Sequence, residues 1–351
     1  PRAKYYVKNY YDCQPALNYG YAKPDPNHPW EQSVDAPGPQ AVRQELKNII
    51  TFWMEKGVDG FRVDMAMSLV KNDYNRSATI ALWKEINNWF DNKFPEGMLL
   101  SEWFNPKQAI EAGFDMDFLP AFTLYQTLTM FYQKTEKVYF DKAGEGQTSD
   151  WLKSFTDNYF STLNKGYIAI PTDNADSPRM AISGRDDSEQ LKVMMTFFLT
   201  MPGVPIIYYG DEIGMRYMTN WPDVEGSLER SGCRTPMQWD DSRNAGFSSA
   251  PTEKIYIPQD PDPNRPTVAK QDKDPNSLLN YTRTLLTLRA SSSAIGNDGE
   301  WKLLSSVDKP YPMVYMRVSG NEKYVIGINP SNRKVEAEFI SLNSSRITYK
   351  F

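Results

Sequence analysis

The chain has 351 residues, 40% hydrophobic and 24% charged, with a formal net charge of −5. This fits a globular protein with a large domain and a smaller one, and it argues against a nucleic-acid surface. No apolar run reaches 18 residues, so no membrane span is expected. A single histidine, His28, and two cysteines, Cys13 and Cys233, nearly exclude a His-based zinc site, a Ser-His-Asp triad or a Cys-His dyad. Carboxylates must then carry any chemistry. A Cys13–Cys233 bridge and two free thiols both remain open. The sequence starts at Pro1 with no initiator Met or signal segment, which reads as a mature or cut product and leaves the compartment open.

Residues 1–38 are rich in Pro, Asn, Asp and Tyr and read as irregular. The spacing predicts a helix over residues 41–56, burying Leu46, Ile49, Ile50 and Trp53, with Gly57 placed to cap it. A strand over residues 58–64 follows, then a helix over 77–92 with Leu82, Ile86, Trp89 and Phe90 on one face. Residues 98–103 form the next strand, 106–112 a short helix, and 114–118 a brief strand. After an excursion over 119–149 come a helix at 151–164 and a strand at 167–170. A helix opening at Asp187 and Ser188, a strand at 204–208, a long loop and a helix over 277–289 complete this part. From about residue 297 the period changes to two: strands at 313–318 and 324–328 flank a Gly320-Asn321 turn, and 335–340 is a candidate third strand.

Alternating helices and strands predict a parallel α/β fold, either an open doubly wound sheet or a TIM barrel. No Gly-rich phosphate loop follows any strand, which weakens the dinucleotide-binding version. Three strands instead run into acids: Asp64, Glu102 and Asp176. Strand ends of a barrel converge on the face where active sites lie. Arg62 and Asp64 are two residues apart and project to one side of their strand. An internal ion pair explains them, and so does a carboxylate held ionised for catalysis. Paired carboxylates are the apparatus of retaining glycoside hydrolysis, one ionised nucleophile and one protonated acid. The apolar neighbours of Glu102 would raise its pKa toward that second role. The rival reading, a Mg²⁺ site for phosphate or enolate chemistry, lacks a Lys or His base at a strand end.

At these residues the sequence resembles the α-amylase family of glycoside hydrolases, in its oligo-1,6-glucosidase and α-glucosidase branch. Residues 57–64, Ser101-Glu102-Trp103 and Asn174-Ala175-Asp176 carry the resemblance. So do residues 208–214 and 234–240, Asn244-Ala245-Gly246-Phe247 and Arg265-Pro266-Thr267-Val268. The resemblance implies a (β/α)8 barrel of which strands four to eight are present. Residues 1–38 would be a remnant of the domain inserted after the third strand, 39–296 the barrel, and 297–351 a C-terminal antiparallel β domain, itself truncated. The first three strands would come from residues missing here or from another chain.

The same resemblance makes Asp64 the nucleophile, Glu102 the general acid/base and Asp176 the transition-state stabiliser. Arg62 would orient Asp64, Arg179 and Asn174 would line the sugar site, and Trp103 and Phe104 would sit on the leaving-group side. The implied ligand is an oligosaccharide. No cofactor is required; calcium is common in the family, but its ligands are not identifiable in this segment. Three departures stand out. Ala175 replaces the family's sugar-binding histidine, Ala16 replaces an acid in Gln14-Pro15-Ala16-Leu17-Asn18, and Met65 follows the nucleophile where Val, Thr or Ala is usual. Hydrolysis of α-glucosides is the leading reading. Transfer or isomerisation on the same site, and a catalytically silent binding relative, are the alternatives.

Overall fold

The computed structural model describes residues 6–9, 11, 14–119, 137–182, 184–224, 226–228, 230–340 and 346–350. Cys13 and residues 120–136 of the predicted excursion lie outside them. The chain divides into two compact units. Unit 1 is Pro1–Leu119 with Asn158–Ile168, and unit 2 is Pro120–Asp157 with Ala169–Phe351. Among the described residues no helix is long and apolar enough to cross a membrane.

In unit 1, helix α1 (Pro37–Met54) leads to strand β1 (Gly60–Val63), and α2 (Ser77–Lys93) leads to β2 (Met98–Ser101). A short α3 (Pro106–Glu111) precedes β3 (Met116–Phe118). The turn after α1 forms as its sequence predicts: Gly57 takes φ 92°, its N–H reaches the Met54 carbonyl, and the Val58 N–H reaches Trp53. That double closure is the Schellman arrangement, which favours glycine at its left-handed position. The buried side of α1 differs from expectation. Ile50 is buried and Val42, Leu46 and Met54 pack on the core, but Ile49 and Trp53 are exposed. A helical stripe read from spacing fixes a face but not how far round the covering elements reach.

β1, β2 and β3 pair in parallel, with Gly60 opposite Met98 and Leu100 opposite Met116. The core beside them holds Trp83, Ile86, Phe90, Leu99, Trp103 and Phe114. Trp83 donates its indole N–H to the Ala66 carbonyl, 2.9 Å away, and so ties α2 to the turn that follows β1. Strand β4 (Tyr167–Pro171) opens in unit 1, where the Tyr167 N–H bonds to the Asp115 carbonyl beside β3, and continues into unit 2.

In unit 2, β4 pairs in parallel with β5 (Val204–Ile206), which gives the sheet the strand order β1-β2-β3-β4-β5. Helix α4 (Ser149–Thr162) precedes β4. Helix α5 (Ser188–Thr200) starts where predicted, since Asp187 caps the N–H groups of Glu189 and Gln190. Val268–Asp272 forms the short α6, and α7 (Leu278–Ser291) is capped by Ser277. The C-terminal region is antiparallel: β6 (Glu300–Leu303), β7 (Met313–Ser319) and β8 (Glu322–Ile328) form one sheet. The predicted third strand joins something else. It is β9 (Glu336–Ile340), and it pairs with β10 (Arg346–Lys350) in a separate two-stranded ribbon. The place beside β7 goes instead to β6, whose four residues are too few to show a period. The fold is thus a parallel α/β sheet with an antiparallel β region behind it in sequence.

Candidate active site

The first group of candidate residues lies where unit 1's strands give way to turns. Asp64 directly follows β1 and Glu102 directly follows β2. Paired in parallel, the two strands deliver both side chains at the same end. Arg62, still on β1, spans them: its NH1 is 2.8 Å from Asp64 Oδ1 and its NH2 is 2.6 Å from Glu102 Oε2. A planar guanidinium suits two such contacts at once, because its donors diverge in a fixed fork. The two acids differ in setting. The Asp64 side chain is 73% exposed and that of Glu102 10%. Burial pushes the Glu102 carboxyl above the ordinary glutamate value; Asp64's charge adds to the rise, while the Met65 N–H and Arg62 oppose it. That N–H reaches Glu102 Oε2 at 3.0 Å because Met65 adopts φ 43°, an uncommon conformation for a residue with a side chain.

Glu102 is held from behind by Asp117 on β3. The Asp117 carboxylate is fully buried and accepts from Ser101 Oγ at 2.7 Å, the Trp103 N–H at 2.8 Å and the Asn105 N–H at 2.8 Å. Burial lifts it to about 6 against the pull of those donors. Trp103 turns inward: it is buried against Phe114 and donates its indole N–H to Gln108. Phe104 sits at φ 59° in the same turn.

The second group lies in unit 2, in the loop after β4. Asn174 Oδ1 accepts the Asp176 N–H at 2.8 Å and shapes the turn that presents Asp176. Two arginines grip this acid, Arg230 through NH1 and Arg234 through NH2 at 2.9 Å. Arg234 Nε also donates to the Ala175 carbonyl at 2.7 Å, and the Cys233 thiol donates to the same oxygen at 3.3 Å. Cys233 is a free, buried thiol whose pKa burial pushes up to about 11, so it is a packing group rather than a nucleophile. Arg179 is wholly buried. Its guanidinium lies 4.6 and 4.7 Å from the ring centres of Tyr208 and Tyr209, bonds the Tyr209 carbonyl, and pairs with Asp211 at 3.2 Å. Thr172 completes the Asp211 contacts at 2.7 Å.

The structure therefore brings Arg62, Asp64 and Glu102 together in unit 1, and Asn174, Asp176 and Arg179 within one loop region of unit 2. Sequence reasoning did not single out Asp117, Asp173, Asp211, Arg230 or Arg234. Asp117 carried a signal, being an acid inside the apolar run Phe114-Asp115-Met116-Asp117-Phe118. Arg234 and Asp211 lay inside stretches that carry the resemblance but had no role there, and Arg230 carried no signal, because nothing local says that a loop some 55 residues on returns to Asp176. Among the described residues no group of three or more His, Cys, Asp and Glu side chains is arranged to hold a metal ion.

Comparison with known proteins gives a consistent result. The family model described as "Alpha amylase, catalytic domain" matches residues 37–298. The trehalose synthase/amylase TreS of Mycobacterium tuberculosis is 29% identical over 360 residues, covering 92% of this chain and 55% of its own. The oligo-1,6-glucosidase of Parageobacillus thermoglucosidasius is 27% identical, covering 89% of this chain and 63% of its own. The chain thus spans little more than half the length of these relatives. Among solved structures, the trehalose-6-phosphate hydrolase TreA of Bacillus licheniformis superposes with a TM-score of 0.69 at 21% identity, covering 88% of this chain and 64% of that one. The trehalulose synthase MutB of Pseudomonas mesoacidophila gives 0.68 at 19%, with 87% and 64% covered. At such identities the structural likeness speaks to the fold alone.

Proposed function

The chain belongs to the α-amylase family, and we propose that it is a retaining glycoside hydrolase. Its substrates in this reading are α-1,4 or α-1,6 glucosidic bonds of starch- or dextrin-derived oligosaccharides. The observation that carries the reading is the pairing of unlike acids on Arg62, one open to solvent and one buried with a raised pKa. Asp64, accessible and held by Arg62, attacks the anomeric carbon. Glu102, protonated, gives its proton to the departing oxygen and later takes one from water. Asp176 steadies the oxocarbenium charge, while Asn174 and Arg179 hold the loop that carries it. Trp103 and Phe104 complete the turn that carries Glu102. No cofactor is needed for these steps.

The same reading makes the parallel sheet strands four to eight of a (β/α)8 barrel spanning residues 39–296, with residues 1–38 left from an inserted domain and 297–351 a C-terminal β domain. What supports it is the strand order, in which β1 and β5 each have one neighbour among the described residues. The remaining strands would be supplied by a segment outside these residues or by another chain.

A second reading, transfer or isomerisation through the same glucosyl intermediate, draws support from the trehalose synthases among the relatives. One experiment separates the readings. The full-length protein and its Asp64→Asn variant are incubated with maltose, isomaltose and maltoheptaose, and products are followed by NMR. Glucose released as the α-anomer, and lost in the variant, supports hydrolysis. A disaccharide isomer formed from maltose supports isomerisation. Silence with sugar binding intact rejects both and favours a non-catalytic relative.

A further inference from the structure

We infer that Asp173 is a positioning residue, a neutral carboxylic acid that donates through the Ser177 hydroxyl to the Asn174 amide and so fixes the turn presenting Asp176. Its catalytic relevance rests on the role proposed above for Asp176; its protonation does not.

The argument is a count of hydrogens. Ser177 Oγ lies 2.5 Å from Asp173 Oδ1 and 3.0 Å from Asn174 Oδ1. A hydroxyl brings one hydrogen to two such contacts. Asn174 Oδ1 has none to give, because it is already the acceptor of the Asp176 N–H. If the Ser177 hydrogen points to Asn174, the short contact with Asp173 needs a hydrogen from the carboxyl side. A protonated Asp173 satisfies both contacts, and 2.5 Å lies within the O–H···O range. An ionised Asp173 would take the Ser177 hydrogen for itself and leave two oxygens facing each other at 3.0 Å.

Burial points the same way. Asp173 is 3% exposed, and its Oδ2 finds no hydrogen-bond partner. A buried carboxylate with one oxygen unsatisfied is costly, whereas the carbonyl oxygen of a neutral acid gives up far less hydration. The charged and titratable groups around it are Asp211, Arg179, Arg185 and the Cys233 thiol. Arg179 pairs with Asp211, and Arg185 donates from Nε to the Met180 carbonyl. Burial first, then the charge of Asp211, pushes the Asp173 carboxyl well above the usual range; Ser177, the Asn174 N–H and Arg179 oppose this.

Infrared spectroscopy of the full-length protein tests the assignment. The spectrum is taken well above pH 6, since Asp117 and Asp211 both lie at about 6 and are then ionised. The expected result is a protonated-carboxyl C=O band that is missing from Asp173→Asn and displaced in frequency in Ser177→Ala. A band unchanged by Asp173→Asn, or no band at all, overturns the proposal, and so does a band that Ser177→Ala leaves in place. Should Asp173→Asn fail to fold, the response to Ser177→Ala decides. The positioning role predicts that Ser177→Ala lowers kcat about tenfold with KM nearly unchanged. An unchanged kcat overturns that role. If the wild type itself has no glycosidase activity, the functional reading fails while the infrared result still decides the state of Asp173.

Discussion

Arg62 touches both of the acids on which the proposed chemistry depends, and its influence on them can be measured separately. Its charge opposes the rise that burial imposes on Glu102. Replacing it with Met removes that opposition, so the pH at which Glu102 loses its proton moves up. The alkaline limb of kcat/KM is expected to shift upward by on the order of one pH unit, together with a loss of activity as Asp64 loses its tether. A pH–rate profile of Arg62→Met checks this; a limb that stays in place would separate Glu102 from the acid role. Ala175 offers the opposite kind of test. The family resemblance places a sugar-binding histidine there, and a contact that strengthens in the transition state contributes a few kcal/mol. Ala175→His is expected to raise kcat/KM on ordinary α-glucosides by at least about tenfold. An unchanged value would mean that the grip of Arg230 and Arg234 on this turn already fills the role.

At the scale of elements, the two strands bearing Asp64 and Glu102 must lie close, and one glycine allows it. A Cβ on Gly60 would stand 2.1 Å from the Met98 carbonyl oxygen, well inside contact distance and against backbone that cannot turn aside. Gly60→Ala is expected to cost several kcal/mol by forcing β1 off β2, read as a fall in the urea midpoint with parallel loss of activity. These strands were legible because each is a short apolar run bounded by helical periodicity, and Arg62, Asp64 and Glu102 announced themselves as charges in apolar surroundings. The cap at Gly57 and the start at Asp187 were legible for local reasons too. The failures share a cause. Ile49 and Trp53 sit in the helical stripe but outside its cover, β9 looks like any alternating strand until its partner is known, and Arg230 reaches Asp176 across a long loop. Each depends on where distant chain arrives, and no local period encodes that.

For the whole molecule, both units bury carboxyls whose pKa lies above the unfolded value, and this sets how stability responds to pH. Asp117 in unit 1 and Asp211 in unit 2 are lifted to about 6, in each case chiefly by burial. A carboxyl raised in this way binds its proton more tightly folded than unfolded. Between about pH 4 and pH 6 the folded protein therefore holds protons that the unfolded chain has released, and unfolding free energy falls as pH rises through that window. A rise of about two units corresponds to roughly 3 kcal/mol per group, an upper scale because the ionised forms keep their donors. Glu85 works in the other direction: its pKa is lowered by Lys47 and Arg43, so its contribution appears as pH rises and is lost at the acid end. That change falls below about pH 4.5 and leaves the higher window to the buried acids. Urea unfolding followed by tryptophan fluorescence should thus show greatest stability near pH 4 to 5 and a decline through pH 6, which a neutral Asp173 prolongs above that pH. In Asp117→Asn the decline should be shallower. The variant should also be weaker by about 1–3 kcal/mol at neutral pH, because an amide turns donors toward the N–H groups that the carboxylate accepts from. Stability that stays flat from pH 4 to 7 would show instead that these carboxyls titrate at their ordinary values, with the donors around them offsetting burial.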